Sequence, residues 1–298
     1  FWFAALITLV LAVFGRKPLA FAAAATVIFL NSRYGWEGPI KYAEQYVTPR
    51  LFAEATVLLA FAAAWRSRKW AAIILVLLAV PLHPLMALPG IVMIFLFLFP
   101  LNVKTASLAF LAVTAISGLA FAGIDPFIRL TQTFDMEWME IIEARQPHAF
   151  ISQWGIQSVN YAVLPMTILL MTSLTGSGPI KRLSIIILTV ASLMILASWV
   201  FGDLLGNVMI LNLQTWRSLW LFTLFGNLLV IPTVFSLPKR SLTLRTLIIT
   251  TDRGAISILT HTKFLTATLM SMLTLIIFLM EQRLFRTLPT RVHFAAKG

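Results

Sequence analysis

The chain has 298 residues, of which 59% are hydrophobic and 11% charged, against about 45–50% and about 25% in soluble domains. Mean hydropathy is +0.91, and several continuous apolar runs approach the ~18 residues of a membrane span, which excludes a soluble globule, a disordered chain and a disulfide scaffold. Net charge is +12 and cysteine is absent, so disulfides, thiolate catalysis and Cys-ligated metals are excluded.

The basic excess reads as cytoplasmic anchors of helix ends rather than as a nucleic-acid surface. The apolar runs are continuous rather than alternating, which argues against an outer-membrane barrel. The expected fold is therefore all-α: a polytopic transmembrane bundle of about ten segments, forming a single domain over 1–298. Phe1 sits inside an apolar run, so the chain reads as a fragment of a longer one.

In chain order the apolar segments are 1–15, 18–31, 51–65, 70–82, 85–101, 105–123, 158–175, 183–201, 218–237 and 264–280. Basic clusters punctuate them at Arg16-Lys17, Arg66-Ser67-Arg68-Lys69, Lys181-Arg182 and Lys239-Arg240 with Arg245. The positive-inside rule places all four in the cytoplasm. Segments 32–54, 124–157 and 202–217 then lie outside and hold nine of the chain's eleven acids. Orientation is set by Lys and Arg alone, so the one-sided acids support it independently. Residues 246–263 are semi-polar and read either as a short crossing or as an interfacial helix.

Segment 70–82 covers about 20 Å at ~1.5 Å per residue, less than the ~30 Å hydrocarbon core. Pro81, Pro84 and Pro89 punctuate the run VPLHPLMALPG, which predicts a broken hairpin with its turn at Pro81–Pro89 and His83 facing a polar cavity.

The first outer loop offers Glu44, Arg50 and Glu54. Thr48 suits an N-cap and Pro49 a first helical residue, so the helix through 51–65 starts there. Arg50 and Glu54, four apart, are expected either to pair with each other near the helix start or, because an ionisable group at membrane depth is expensive, to line a site in the outer cavity. In the second loop, residues 134–144 predict an amphipathic helix at the membrane interface, with Phe134, Trp138, Ile141 and Ile142 as its apolar residues. Arg145 and His148 follow it and can together hold a phosphate. In the third stretch, Trp216 and Arg217 open a long apolar span, as an interfacial belt or as an anion site. No Walker A, GxSxG or HExxH pattern is present. No metal ligand set is read, and a divalent ion is left open.

The run TPRLFAEA, then RSRKW and LHPLMALPG, with QPHAFISQW and LQTWRSLW further on, resembles bacterial polytopic proteins of the GT-C glycosyltransferase kind. The resemblance covers most of 30–235. It implies a multi-pass protein of the bacterial inner membrane that transfers sugar, outside the cytoplasm, from a polyprenyl-phosphate-linked donor to a cell-envelope glycan or lipid. It also implies an acidic residue acting in the family's own first outer loop, near the N-terminus. This chain begins mid-helix and reads as lacking that loop, so no base is assigned by matching. The carboxylates below are chosen on physical grounds, as base or as its orienters. Membrane lipid and the lipid-linked sugar are the expected partners, and nucleic acid is not. Glu54 and Glu44 are the candidate catalytic carboxylates. Arg50, His83, Arg145, His148, Trp216 and Arg217 are the candidate substrate-binding residues. A transporter or flippase for an anionic lipid-linked substrate is the competing expectation, and a membrane scaffold is a third.

Overall fold

The computed structural model describes Phe1–Ser236, apart from residues 16–17, 37–39 and 101. The apolar segment 264–280, the semi-polar stretch 246–263 and the basic clusters at 16–17 and 239–245 lie outside the described residues. Helices carry the described fold: α1 (Trp2–Phe14), α2 (Pro18–Phe29), α3 (Pro49–Trp65), α4 (Lys69–Leu82), α5 (Pro84–Leu98), α6 (Val103–Phe121), α7 (Met136–Arg145), α8 (Ile156–Thr175), α9 (Gly178–Ala197), α10 (Val208–Leu213) and α11 (Leu219–Ser236). Each apolar segment read between residues 1 and 236 coincides with a helix. Among the described residues, four stretches are long and apolar enough to cross a membrane: Val103–Phe121, Ile156–Thr175, Gly178–Leu204 and Val208–Phe235. α1, α2, α4 and α5 are apolar but shorter.

The packed helices follow one another around a circuit. α1 lies against α2 and α3, α3 against α4 and α5, and α5 against α9. The circuit closes through α8 and α11, which returns to α2. Small residues let these backbones approach, as expected where apolar lipid leaves van der Waals packing as the driving force. Ala53, Ala55, Ala60, Ala62 and Ala64 of α3 are all buried. A Cβ on Gly90 of α5 would fall 2.7 Å from Val57 Cγ1, and one on Gly226 of α11 2.5 Å from Pro165 of α8. Buried polar links tie the same helices: Thr172 and Thr233 hydroxyls meet at 2.8 Å, and the Thr26 hydroxyl donates to the Asn227 carbonyl at 2.6 Å. α6 is different. Its main neighbour is the 3-10 turn Phe127–Leu130, and its Leu108, Phe110, Leu111 and Val113 are exposed.

The prolines act more locally than the sequence suggests. Pro81 lies inside α4 and Pro89 inside α5, so the break is one residue wide: His83 alone, extended at φ −162° and ψ 96°. Pro84 opens α5 as its first residue, where a missing N–H costs nothing. The interfacial helix also differs in which face it uses. Met139 and Ile142 pack on the Phe150–Leu211 cluster, whereas Trp138 and Ile141 stay exposed. Asp135 caps α7 by accepting from the Trp138 N–H at 2.8 Å.

The three loop segments gather at one end of the bundle. Phe134 N–H donates to the Gly206 carbonyl at 2.9 Å, Val208 N–H to Gln132 at 3.0 Å, and Gly35 backs onto the Trp216 ring. At the opposite end Trp65 stacks on Phe97 at 5.7 Å, and Arg182 donates to the carbonyls of Leu96 and Phe99 at 2.9 and 3.0 Å. Among the described residues, the basic clusters at 66–69 and 181–182 are thus separated from the acids of the loops by the length of the helices.

Candidate functional site

The first loop is a lid built on buried tyrosines. Tyr34 N–H donates to the Ile40 carbonyl and Tyr42 N–H to the Ser32 carbonyl, closing a short two-sided loop bridged at Arg33 and Lys41. Tyr34 and Tyr42 are each 1% exposed. The Tyr42 hydroxyl donates to the Val27 carbonyl at 3.0 Å and accepts from Asn227 Nδ2 at 2.9 Å. Asn227 also donates to the Asn31 carbonyl at 3.0 Å, so one α11 side chain fastens both legs of the loop. Burial pushes both phenols well above their ordinary pKa.

Glu54 anchors the same lid from below. It is fully buried, and its Oε2 accepts from Trp2 Nε1 and from the Ala43 N–H, both at 2.9 Å. Its Oε1 is buried without a hydrogen-bond partner. Ala43 sits at φ +53°, a left-handed conformation that costs a residue with a Cβ. The carboxylate therefore holds a strained backbone unit immediately before Glu44. The Arg50–Glu54 pair expected from their spacing does not form. Arg50 instead pairs with Glu44, which also accepts from the Thr48 hydroxyl at 3.2 Å. Thr48 holds the N-cap position of α3, yet its hydroxyl is spent on Glu44 rather than on the helix. The Glu44–Arg50 pair is about one-fifth exposed on each side, so the pair reaches solvent while Glu54 does not.

Facing this group is the 3-10 turn Thr215–Ser218, at the start of α11. Trp216 is fully buried. Its ring meets Trp154 edge-on at 5.3 Å, His148 at 6.5 Å and Tyr34 at 6.4 Å. Gly35 makes this possible: a Cβ there would lie 2.7 Å from the Trp216 ring, and its φ of +70° suits glycine. Arg217 is 6% exposed. Its guanidinium carbon stands 5.0 Å from the Trp216 ring centroid, and Nε donates to Gln214 Oε1 at 2.7 Å. Nη1 is buried and unpartnered, as are Trp216 Nε1 and Ser218 Oγ. Among the described residues no carboxylate pairs with Arg217; the ion pairs formed are Arg50–Glu44 and Arg129–Asp125.

His83 closes the group from the hairpin side. It lies within electrostatic range of Arg217, Arg50 and Glu44, and its Nδ1 is buried without a partner. Its neighbour Met86 accepts from the Trp220 indole and from the Tyr34 hydroxyl. The structure thus brings together Glu44, Glu54, Arg50, His83, His148, Trp216 and Arg217 at one end. Arg145 stays apart: it ends α7, is exposed, and among the described residues no hydrogen bond or ion pair engages it. The Arg145–His148 pairing therefore does not form, because the turn at Pro147–Ala149 sends His148 inward onto Trp216. Burial and the nearby Arg217 hold the His148 imidazole below its ordinary pKa.

No family model, curated protein or solved structure matches the chain. Its chemistry is therefore argued from this arrangement alone. Among the described residues, no three His, Asp or Glu side chains are placed to hold a metal ion. An open groove of about 270 Å³ shares no residue with the site; Phe134, Met139, Glu140, Glu143 and Leu205 help to line it.

Sequence reasoning missed Trp2, Tyr34, Tyr42 and Gln214. One signal was available: three of the chain's four tyrosines fall between residues 34 and 46, a density a solvated loop does not need. Gln214 carried no signal, since its role depends on a left-handed backbone, φ 44° and ψ 56°, that only the fold reveals.

Proposed function

We propose that this is a multi-pass membrane protein of the bacterial inner membrane whose loop end faces the extracytoplasmic side. There it transfers a glycosyl group from a polyprenyl-phosphate-linked donor to a cell-envelope acceptor. The carrying observation is the convergence of ionisable and aromatic side chains from four distant segments on one end of an apolar bundle. Charges at such depth are expensive unless partners or ligand compensate them. Aromatic walls beside cations and carboxylates suit a sugar attached to a phosphate.

In this reading Glu44 is the base that takes the proton of the acceptor hydroxyl, because it is the carboxylate with access to solvent. Arg50 orients it. Glu54 is a positioning residue, since it fixes the Ala43 N–H beside Glu44. Trp154, Trp216 and His148 wall the sugar, and Arg50, His83 and Arg217 supply positive charge and donors near the leaving phosphate. The reading is tested in proteoliposomes with a polyprenyl-phosphate sugar and a cell-envelope glycan acceptor. Glu44→Gln should lower kcat at least a hundredfold with donor affinity kept. Unchanged turnover rules out Glu44 as base. Donor that crosses the bilayer without being cleaved favours a flippase.

Sidedness is read separately. Cysteines at Ser32 and Ser67, probed with an impermeant thiol reagent in intact cells, should label at the first and not at the second. Equal labelling overturns the orientation.

A further inference from the structure

Arg217 poses a problem that the proposed reaction does not by itself solve. A guanidinium carries five N–H donors and cannot shed its charge in a protein. Here it is 6% exposed, one donor is spent on Gln214, and Nη1 is buried without a hydrogen-bond partner. The Tyr34 hydroxyl is close enough to accept from the guanidinium, but burial keeps that phenol neutral, so it brings no compensating charge. Among the described residues, the acid close enough to act on it through space is Glu44, which Arg50 already neutralises. Arg50 itself adds positive charge to the same neighbourhood. A buried cation left without an anion is among the costliest features a fold can hold, so an exogenous anion is the natural complement.

The guanidinium is also held in orientation. Its carbon lies 5.0 Å over the Trp216 ring centroid, Gln214 Oε1 takes Nε, and Nη1 is left to meet a ligand. Gln214 adopts a left-handed backbone where glycine or asparagine would sit without strain. That the position is glutamine rather than glycine makes sense if the side chain has work to do. The edge left open suits a tetrahedral oxyanion, which arginine engages through parallel N–H donors.

We propose that Arg217 is the receptor for one phosphate group of the ligand, and that Gln214 is the positioning residue that aims it. This inference rests on the proposed site, but it stands on binding rather than on transfer. The phosphate has two sources of equal chemistry, a lipid headgroup or a free ion.

The test uses the full chain in phosphatidylcholine nanodiscs, titrated with inorganic phosphate in one arm and loaded with polyprenyl monophosphate in the other. The reporter is tryptophan emission, with Trp216→Phe as the control because the other eight tryptophans remain. A saturable change in either arm, silent in Trp216→Phe, is the expected result, and the arm that responds names the source. Gln214→Glu should supply an internal anion, weaken the response at least tenfold, and leave the apo protein at least as thermostable. Gln214→Gly should relieve the backbone and raise or preserve thermostability, yet weaken the response three- to tenfold. A residue that merely ends α10 would be improved by glycine with binding untouched. No response in either arm, or a response that Gln214→Glu and Arg217→Gln leave unchanged, overturns the proposal. If transfer is absent while the response persists, the transferase reading fails and the receptor stands. Transfer without the response removes the receptor and leaves the transferase.

Discussion

Replacing Glu54 separates a structural clamp from a chemical group. Glu54→Ala strands two buried donors, the Trp2 indole N–H and the Ala43 amide, both now 2.9 Å from one carboxylate oxygen. Each stranded donor costs about 1–3 kcal/mol, so the loss should be on the order of 2–6 kcal/mol, with a cavity penalty added. Glu54→Gln keeps one carbonyl oxygen that can accept from both donors. Its new NH₂ group falls where Oε1 already lacks a partner, so its cost should be about 1–2 kcal/mol, that of a buried donor left without an acceptor. Thermal unfolding in detergent, followed by near-ultraviolet dichroism, should rank wild type above Glu54→Gln and Glu54→Gln well above Glu54→Ala. Amide exchange should also show the lid opening first in Glu54→Ala, as faster exchange at 40–44. Wild-type stability in Glu54→Ala would refute the clamp. Equal loss in both variants would mean that charge, not hydrogen bonding, holds Ala43 in place.

Gly226→Ala puts a Cβ 2.5 Å from Pro165 backbone and ring atoms, so α8 and α11 must separate; a loss of about 1–3 kcal/mol in unfolding assays is expected. Gly118→Ala meets nothing within 4 Å in α6 and should be neutral or up to ~1 kcal/mol stabilising by helix propensity. Arg182→Ala removes two charge-assisted bonds, to the Leu96 carbonyl in the last turn of α5 and to that of its C-cap Phe99. Because these bonds are exposed, only about 1 kcal/mol should be lost in the same assay. His148 has a pKa below 6.5 when folded, so the unfolded chain takes up the proton first. Stability should be level above the ordinary histidine pKa and fall as pH drops through it towards the lowered folded value. The Tm-against-pH slope between about pH 7 and 5 should be shallower in His148→Gln, and an identical slope would remove His148 from the account.

Helices are readable in the sequence because each apolar run is long relative to its polar breaks, and charge separation then puts their loops on common ends. Side-chain partnerships are not. Arg50 and Glu54 sit four apart on α3, and helical spacing alone pairs them. The fold instead reaches back to Glu44 for one and across to Trp2 for the other, contacts made by a loop whose path no periodicity encodes. Arg145 and His148 are joined by proximity in sequence and parted by a single turn at Pro147. The break at His83 is legible as prolines, but its width is not. Proline is tolerated inside a helix where neighbours satisfy the freed carbonyl, and Pro81 and Pro89 both lie inside helices.

Helix length explains why the polar end is built as it is. α1, α2, α4 and α5 hold 13, 12, 14 and 15 residues, or about 18–23 Å at ~1.5 Å per residue. A hydrocarbon core is ~30 Å thick. On the proposed placement these helices stop short of the outer surface, and the loop that follows α2 must lie partly at membrane depth. Irregular backbone survives there only if protein satisfies it. That is the work of Asn227, Tyr42 and Glu54, which tie Asn31, Val27 and Ala43 to the bundle. Backbone fastened in this way keeps water from the most buried side chains beneath it while Glu44 and Arg50 stay partly exposed, and a guanidinium as buried as Arg217 binds an anion more strongly the less water competes for it. The same shortness that leaves the bundle's end unfinished therefore makes it a place where charge can act.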